Sequence, residues 1–205
     1  MARTLVVGAL LVLAGCTSVP DKANFDPTLF PRQPVETTFD GRIAVLADPA
    51  AVEMTVTGER VSGGQTVGVD APVQMPIGRI VHEAALAAYA STFRGGALAT
   101  ERAGAAPGTP TVALRVTHYE YRGHRLQLVI ELRLLDVDGA VLWSNVYDSG
   151  LRIWKPQKRP LFQTPEKQFE GLVRLTHETA FALMRDAARD VGEWLRNERL
   201  RERRL

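Results

Sequence analysis

The sequence predicts an α+β fold: a two-layer sandwich of one mixed or antiparallel sheet, including a three-strand meander, with two helices packed on one face. Three observations point there. Between residues 112 and 147, apolar side chains alternate with polar ones at the period of two that a one-sided strand requires. Residues 77–94 and 164–195 repeat instead at helical spacing. The order is strands, helix, three strands, helix, not the regular alternation of a parallel α/β sheet.

Taken in order, the body starts at Gly41. Ile43-Ala44-Val45-Leu46, stopped by Asp48-Pro49, reads as a short buried strand. Val52, Met54 and Val56 alternate with Glu53, Thr55 and Thr57, which predicts a half-buried strand to Val61. Ser62-Gly63-Gly64 is a turn, and Thr66–Val69 a further short strand before Pro72 and Pro76. Ile77, Ile80, Val81, Ala84, Ala88 and Phe93 predict a helix from Ile77 to Arg94, with Pro76 at its start and Gly95-Gly96 as its stop. The Gly- and Pro-rich residues 100–110 read as a loop.

The meander follows. Val112, Leu114 and Val116 form one strand, and Arg122-Gly123-His124 turns the chain. Leu126, Leu128, Ile130, Leu132 and Leu134 form the second. Asp138-Gly139 is a hairpin signal, and Val141–Tyr147 returns as the third. These early strands and the meander are expected to form a single sheet. Residues 150–163 are a basic and aromatic connection. Thr164 is placed to cap a long helix, with Pro165 and Glu166 in its first turn. Its apolar stripe runs through Phe169, Leu172, Val173, Thr176, Ala180, Leu183, Ala187, Val191, Trp194 and Leu195.

Ahead of the body, Arg3 precedes an apolar run from Leu5 to Val12, then Leu13-Ala14-Gly15-Cys16. This is the order of an export signal, and the run falls short of the roughly 20 residues a bilayer span needs. Leu-Ala-Gly-Cys resembles the lipobox of bacterial lipoproteins. The resemblance implies that residues 1–15 are removed as a signal peptide, that the Cys16 sulfur receives a diacylglycerol, and that the new amine is acylated with a fatty acid such as palmitate. Thr17 stands where Asp commonly signals inner-membrane retention. The resemblance therefore implies the periplasmic side of the outer membrane, with the inner membrane as the alternative. Residues 16–40 then form the lipidated N-terminus and tether, in which Pro20, Pro27, Pro31 and Pro34 interrupt any helix. Residues 41–205 form a single α+β domain ending in the long helix.

The chain of 205 residues has a formal net charge of +2. Arg3 is the one charge in the expected signal, so the remainder carries +1. That balance argues against nucleic acid as a partner. Cys16 is the one cysteine. With it lipidated, the body has no thiol for a disulfide, a nucleophile or a metal site.

The familiar catalytic patterns fail in turn. His82-Glu83 and His177-Glu178 begin like a zinc-protease helix, but Leu86 and Phe181 stand where the second histidine is needed. The remaining histidines are His118 and His124. There is no nucleophile elbow, P-loop or dinucleotide fingerprint. The sequence predicts no enzyme, no cofactor and no metal. Three stretches remain as candidate contacts. The first is an interface loop with Arg152, Trp154, Lys155, Lys158, Arg159 and Phe162, side-chain types favoured at protein interfaces. The second is the arginine-rich tail 196–204, suited to anionic headgroups or peptidoglycan carboxylates. The third is a stripe of Tyr119, Tyr121 and Arg133 on the wet face of the meander.

Leu13–Cys16, the helix from Pro76 to Phe93, the Leu126–Trp143 hairpin and the terminal helix together resemble the small envelope lipoproteins, such as the YajG-like lipoproteins. They resemble more distantly the lipoprotein activators of penicillin-binding proteins and the lipoprotein parts of secretion systems. The resemblance implies a membrane partner through the N-terminal lipid and other envelope proteins as further partners. The expected function is that of a non-catalytic adaptor or assembly factor of an envelope complex. The alternative is an auxiliary or carrier component of a lipid or small-molecule transport system.

Overall fold

The computed structural model describes residues 38–62, 64–103, 108–122, 125–153 and 164–202. The elements are β1 (Ile43–Leu46), β2 (Val52–Ser62), β3 (Gln65–Met75), α1 (Ile77–Thr92), β4 (Ala97–Thr100), β5 (Thr111–Arg122), β6 (Arg125–Leu135), β7 (Val141–Asp148), β8 (Arg152–Ile153) and α2 (Pro165–Glu202). The fold is α+β in two layers. The main sheet has the order β4-β1-β5-β6-β7, and β8 pairs with β6 beyond the end of β7. β1 runs parallel to β4 and β5, and the β5–β6–β7 meander is antiparallel, so the sheet is mixed.

Apolar alternation on β6 buries Leu126, Leu128, Ile130, Leu132 and Leu134 in one row. Val112 and Leu114 of β5 join them. Against this face lie α1, through Ile77, Ile80, Val81, Ala84, Ala85 and Ala88, and α2, through Leu172, Ala180, Leu183, Met184, Ala187, Ala188 and Val191. The buried part of α2 is wider than its predicted stripe because it packs against α1 as well as the sheet. The small alanines and Gly192 on both helices let the axes come close. Thr164 caps α2 as expected, its Oγ1 accepting from the Lys167 amide at 3.5 Å.

Four details depart from the sequence reading. The early strands do not all join one sheet. β2 and β3 pair with each other over their full length, from Val52↔Met75 to Ser62↔Gln65, as a separate two-stranded sheet. β3 is thus much longer than Thr66–Val69 and passes through Pro72, which a two-stranded ribbon tolerates because every strand in it is an edge. β4 occupies Ala97–Thr100, four residues without a strand-like pattern, ordered by parallel pairing with β1. Phe39, expected in the tether, is 5% exposed and belongs to the core. Its amide bonds Thr92 O at 2.9 Å, and its ring lies 5.8 Å from that of Phe93.

The fourth is a β-bulge. β5 continues to Arg122, but its register against β6 shifts between Val116 and His118. One extra residue moves every later side chain to the opposite face. Tyr119 and Tyr121 therefore pair with Leu128 and Leu126 on the helix side, not with Arg133 on the open face. The Asp48 carboxylate holds the bulge, accepting from the Val116 amide at 2.7 Å and from the Ala50 amide at 3.0 Å.

Candidate functional site: a basic and apolar sheet edge

The bulge and the pairing of β8 with β6 fix the two ends of the molecule. β5 spans roughly 40 Å at the usual rise per residue. At its start, the proximal end, the chain enters at Thr38, and Phe39 packs against Gly192 of α2. At its finish, the distal end, α2 begins, with Tyr119 of β5 meeting Thr176 of α2 at 3.0 Å between hydroxyl oxygens. α2 thus runs from the distal end back to the proximal one.

The distal end carries the candidate site. Arg122 stands directly opposite Arg125 across the β5–β6 pair, and Arg125 stands opposite Ile153 of β8. In the next row Arg152 pairs with Leu126. All three arginines are exposed. Opposed like charges across a strand pair cost stability, so this arrangement favours an anionic group between them. A cleft of about 460 Å³ lies here, lined by Glu120, Arg122, Arg125, Gln127 and Leu151. Glu120 is turned toward His118, 3.6 Å away. The Gln127 amide nitrogen is held by both Asp148 oxygens at 3.1 Å. The cleft therefore presents its guanidinium groups outward.

Apolar surface continues from this cleft. Leu151 and Ile153 are 63% and 59% exposed, and Val141, Leu142 and Val146 of β7 are exposed too. All lie along one edge of the sheet. β7 carries no lysine or proline to guard that edge, and its one charge, Asp148, sits at the end. An unguarded edge with apolar side chains and a basic end can take up a strand or loop of another protein.

Of the interface residues predicted from sequence, Arg152 lies here. Trp154, Lys155, Lys158, Arg159 and Phe162 lie outside the described residues, as does Cys16. They follow Arg152 in the chain, which leads on toward them from this end after Ile153. Sequence reading missed Arg122, Arg125, Leu151 and Ile153. The signal lies in Arg122-Gly123-His124-Arg125, where basic residues flank the predicted turn on both sides.

The other titratable groups build the core. The Tyr147 hydroxyl donates to Asp190 Oδ2 at 3.0 Å, and its pKa is raised, chiefly by burial. Tyr89 is fully buried between the helices and sheet, and burial raises its pKa well above the usual tyrosine value. Burial pushes Tyr119 up to about 12. His177 donates from Nδ1 to Val173 O at 2.9 Å, and burial lowers its pKa. His82 Nε2 lies 3.3 Å from Val45 O. Among the described residues, no three His, Cys, Asp or Glu side chains are grouped as metal ligands would be.

No family model matches this chain, and no curated protein does. A crystal structure titled only as that of an uncharacterised protein is similar at 15% identity and a TM-score of 0.41, covering 76% of this chain and 91% of that one. A likeness at that level carries nothing about function.

Proposed function

We propose that this protein is a lipid-anchored, non-catalytic adaptor of the cell envelope, held to the membrane through Cys16 and binding a partner protein along the β7–β8 edge. The observation that carries the reading is the placement of Arg122 and Arg125 beside exposed Leu151 and Ile153 at the distal end, with Arg152 in the next row on the helix side of the sheet. Arginine beside aliphatic surface is the composition of interface hot spots. The fitting partner presents carboxylates to the cleft and an extended segment to β7. The anchor rests on the lipobox resemblance, and no helix of the described residues is long and apolar enough to cross a membrane itself. A transport carrier needs an apolar cavity between helices and sheet, whereas the distal cleft is lined largely by charged and amide side chains.

A photo-crosslinking residue at Leu151 tests this in intact membranes. The expected result is one discrete adduct, lost when Arg122→Glu and Arg125→Glu are combined. A probe at exposed Thr117, on the open face of the sheet, gives none. Adducts of equal yield from both positions, or an adduct indifferent to the charge reversal, would overturn the reading.

A further inference from the structure

Four arginines from three separate segments meet at the proximal end. Arg42 precedes β1, and its Nε donates to Gly95 O at 2.8 Å. Arg94 follows α1 and pairs with Asp40 at 3.0 Å. Arg196 and Arg199 come from α2. The Arg196 guanidinium lies over the Phe39 ring, 5.5 Å from its centroid. Arg199 reaches to within 3.2 Å of where a Cβ on Gly41 would stand. At helical spacing, Gly192, Arg196 and Arg199 share one face of α2, while Glu193 and Glu198 fall to its sides. Thr38, Phe39, Asp40, Leu195, Arg196 and Arg199 line a cleft of about 210 Å³. All four guanidinium groups are exposed.

This is also where the chain toward Cys16 departs. Residues 16–37 span at most about 75 Å however they are arranged. That reach keeps the end at Thr38 at high local concentration near any surface that holds Cys16. Charge then selects the orientation.

We infer that the proximal end, through Arg42, Arg94, Arg196 and Arg199, docks on anionic phospholipid headgroups of the leaflet that holds the anchor. The inference rests on the lipid-anchor reading above and adds an orientation to it. Docking sets the β-strands away from the membrane and lifts the distal cleft into the periplasm, roughly one strand length from the bilayer. The partner is a lipid surface and not a second copy, because two copies of this end would oppose arginine with arginine.

The test uses the whole chain as purified from membranes and reconstituted in vesicles. With Cys16 lipidated, Asn197→Cys supplies the one free thiol for a donor fluorophore, with an acceptor on lipid. Transfer should be at least about twofold higher on vesicles with about a third phosphatidylglycerol than on phosphatidylcholine alone. It should fall to the phosphatidylcholine value in roughly 0.5 M salt. Arg196→Glu with Arg199→Glu should abolish the difference, and Arg196→Lys with Arg199→Lys should keep it. A donor at Glu120→Cys, at the distal end, should show no gain. Equal transfer from Asn197→Cys on both lipids, or equal gain from both donor positions, would overturn the inference. The intact mass of the same preparation decides the anchor separately. If Cys16 is unmodified, the anchor reading fails alone, and co-sedimentation with anionic vesicles, retained by the native chain and lost by the Glu pair, still decides the docking.

Discussion

Gly192 shows how a single hydrogen side chain sets the entry of the whole chain. A Cβ at this position would stand 2.1 Å from Cδ2 of Phe39, so the ring occupies the space that any other residue would fill. Phe39 is capped on its outer side by Arg196 and packed at a tilt against Phe93, which leaves the ring little room to yield. Gly192→Ala should destabilise the fold by about 1–3 kcal/mol from overpacking, less about 1 kcal/mol gained from helix propensity. Chemical denaturation checks this. In a Phe39→Ala background the same change should be neutral or stabilising, since the clash is gone. Gly78 is constrained in a similar way, by Asp48 O at 2.0 Å from a built Cβ. Neither requirement is visible in sequence. Gly192 carries no signal of its own within the predicted terminal helix, and its partner Phe39 falls in the expected tether.

At the scale of elements, the meander and both helices were legible because each buries one face and repeats at one period. The alternation of β6 alone gave the row that became the core, and the stripe of α2 gave the residues that cover it. What periodicity missed depends on partners distant in sequence. β4 has no pattern of its own and forms because β1 offers it backbone bonds. The length of β3 follows from β2. The bulge at Val116 is held by Asp48, 68 residues away, and reverses the faces of Tyr119 and Tyr121. The tyrosine stripe expected on the wet face therefore became part of the packing between β5 and α2.

That reversal has a measurable consequence. The Thr176 hydroxyl donates to Leu172 O at 2.8 Å, so the Tyr119 hydroxyl is the donor to Thr176. The phenol is needed protonated in the folded state. Its folded pKa of about 12 stands above the unfolded value near 10. The stabilisation is complete below pH 10 and is lost as pH rises toward 12, by at most about 2–3 kcal/mol. Tyr119→Phe should lower stability at pH 7 by about 1 kcal/mol for the lost bond and flatten the decline between pH 10 and 12. Tyr147 and Tyr89, also raised by burial, leave a residual slope. Urea unfolding across this range checks it. A decline equally steep in the variant would place the alkaline sensitivity elsewhere.

At the scale of the whole molecule, two groups of exposed arginines stand at opposite ends of one sheet, the distal group beside exposed Leu151 and Ile153. The proximal end joins the start of β1, the turn after α1 and the last part of α2, with Thr38 leading away toward Cys16. The distal end joins the β5–β6 hairpin, β8 and the start of the loop that carries Trp154 and Phe162. The sequence suggested a basic loop and a basic tail as separate candidates. It could not show that Arg122 and Arg125 stand beside Ile153, or that Arg196 and Arg199 stand at the same end as Arg42 and Arg94, because those neighbours arise from strand pairing and helix docking. In this account the core is chemically quiet, and the work is done by what the ends touch.

The proposed adaptor role depends on the chain being held at Cys16. The most direct measurement is the mass of the N-terminal peptide from protein purified out of membranes. The account predicts a peptide beginning at Cys16, carrying a diacylglyceryl thioether and an acylated amine. A bare Cys16 thiol, or a mature chain retaining residues 1–15, would contradict it.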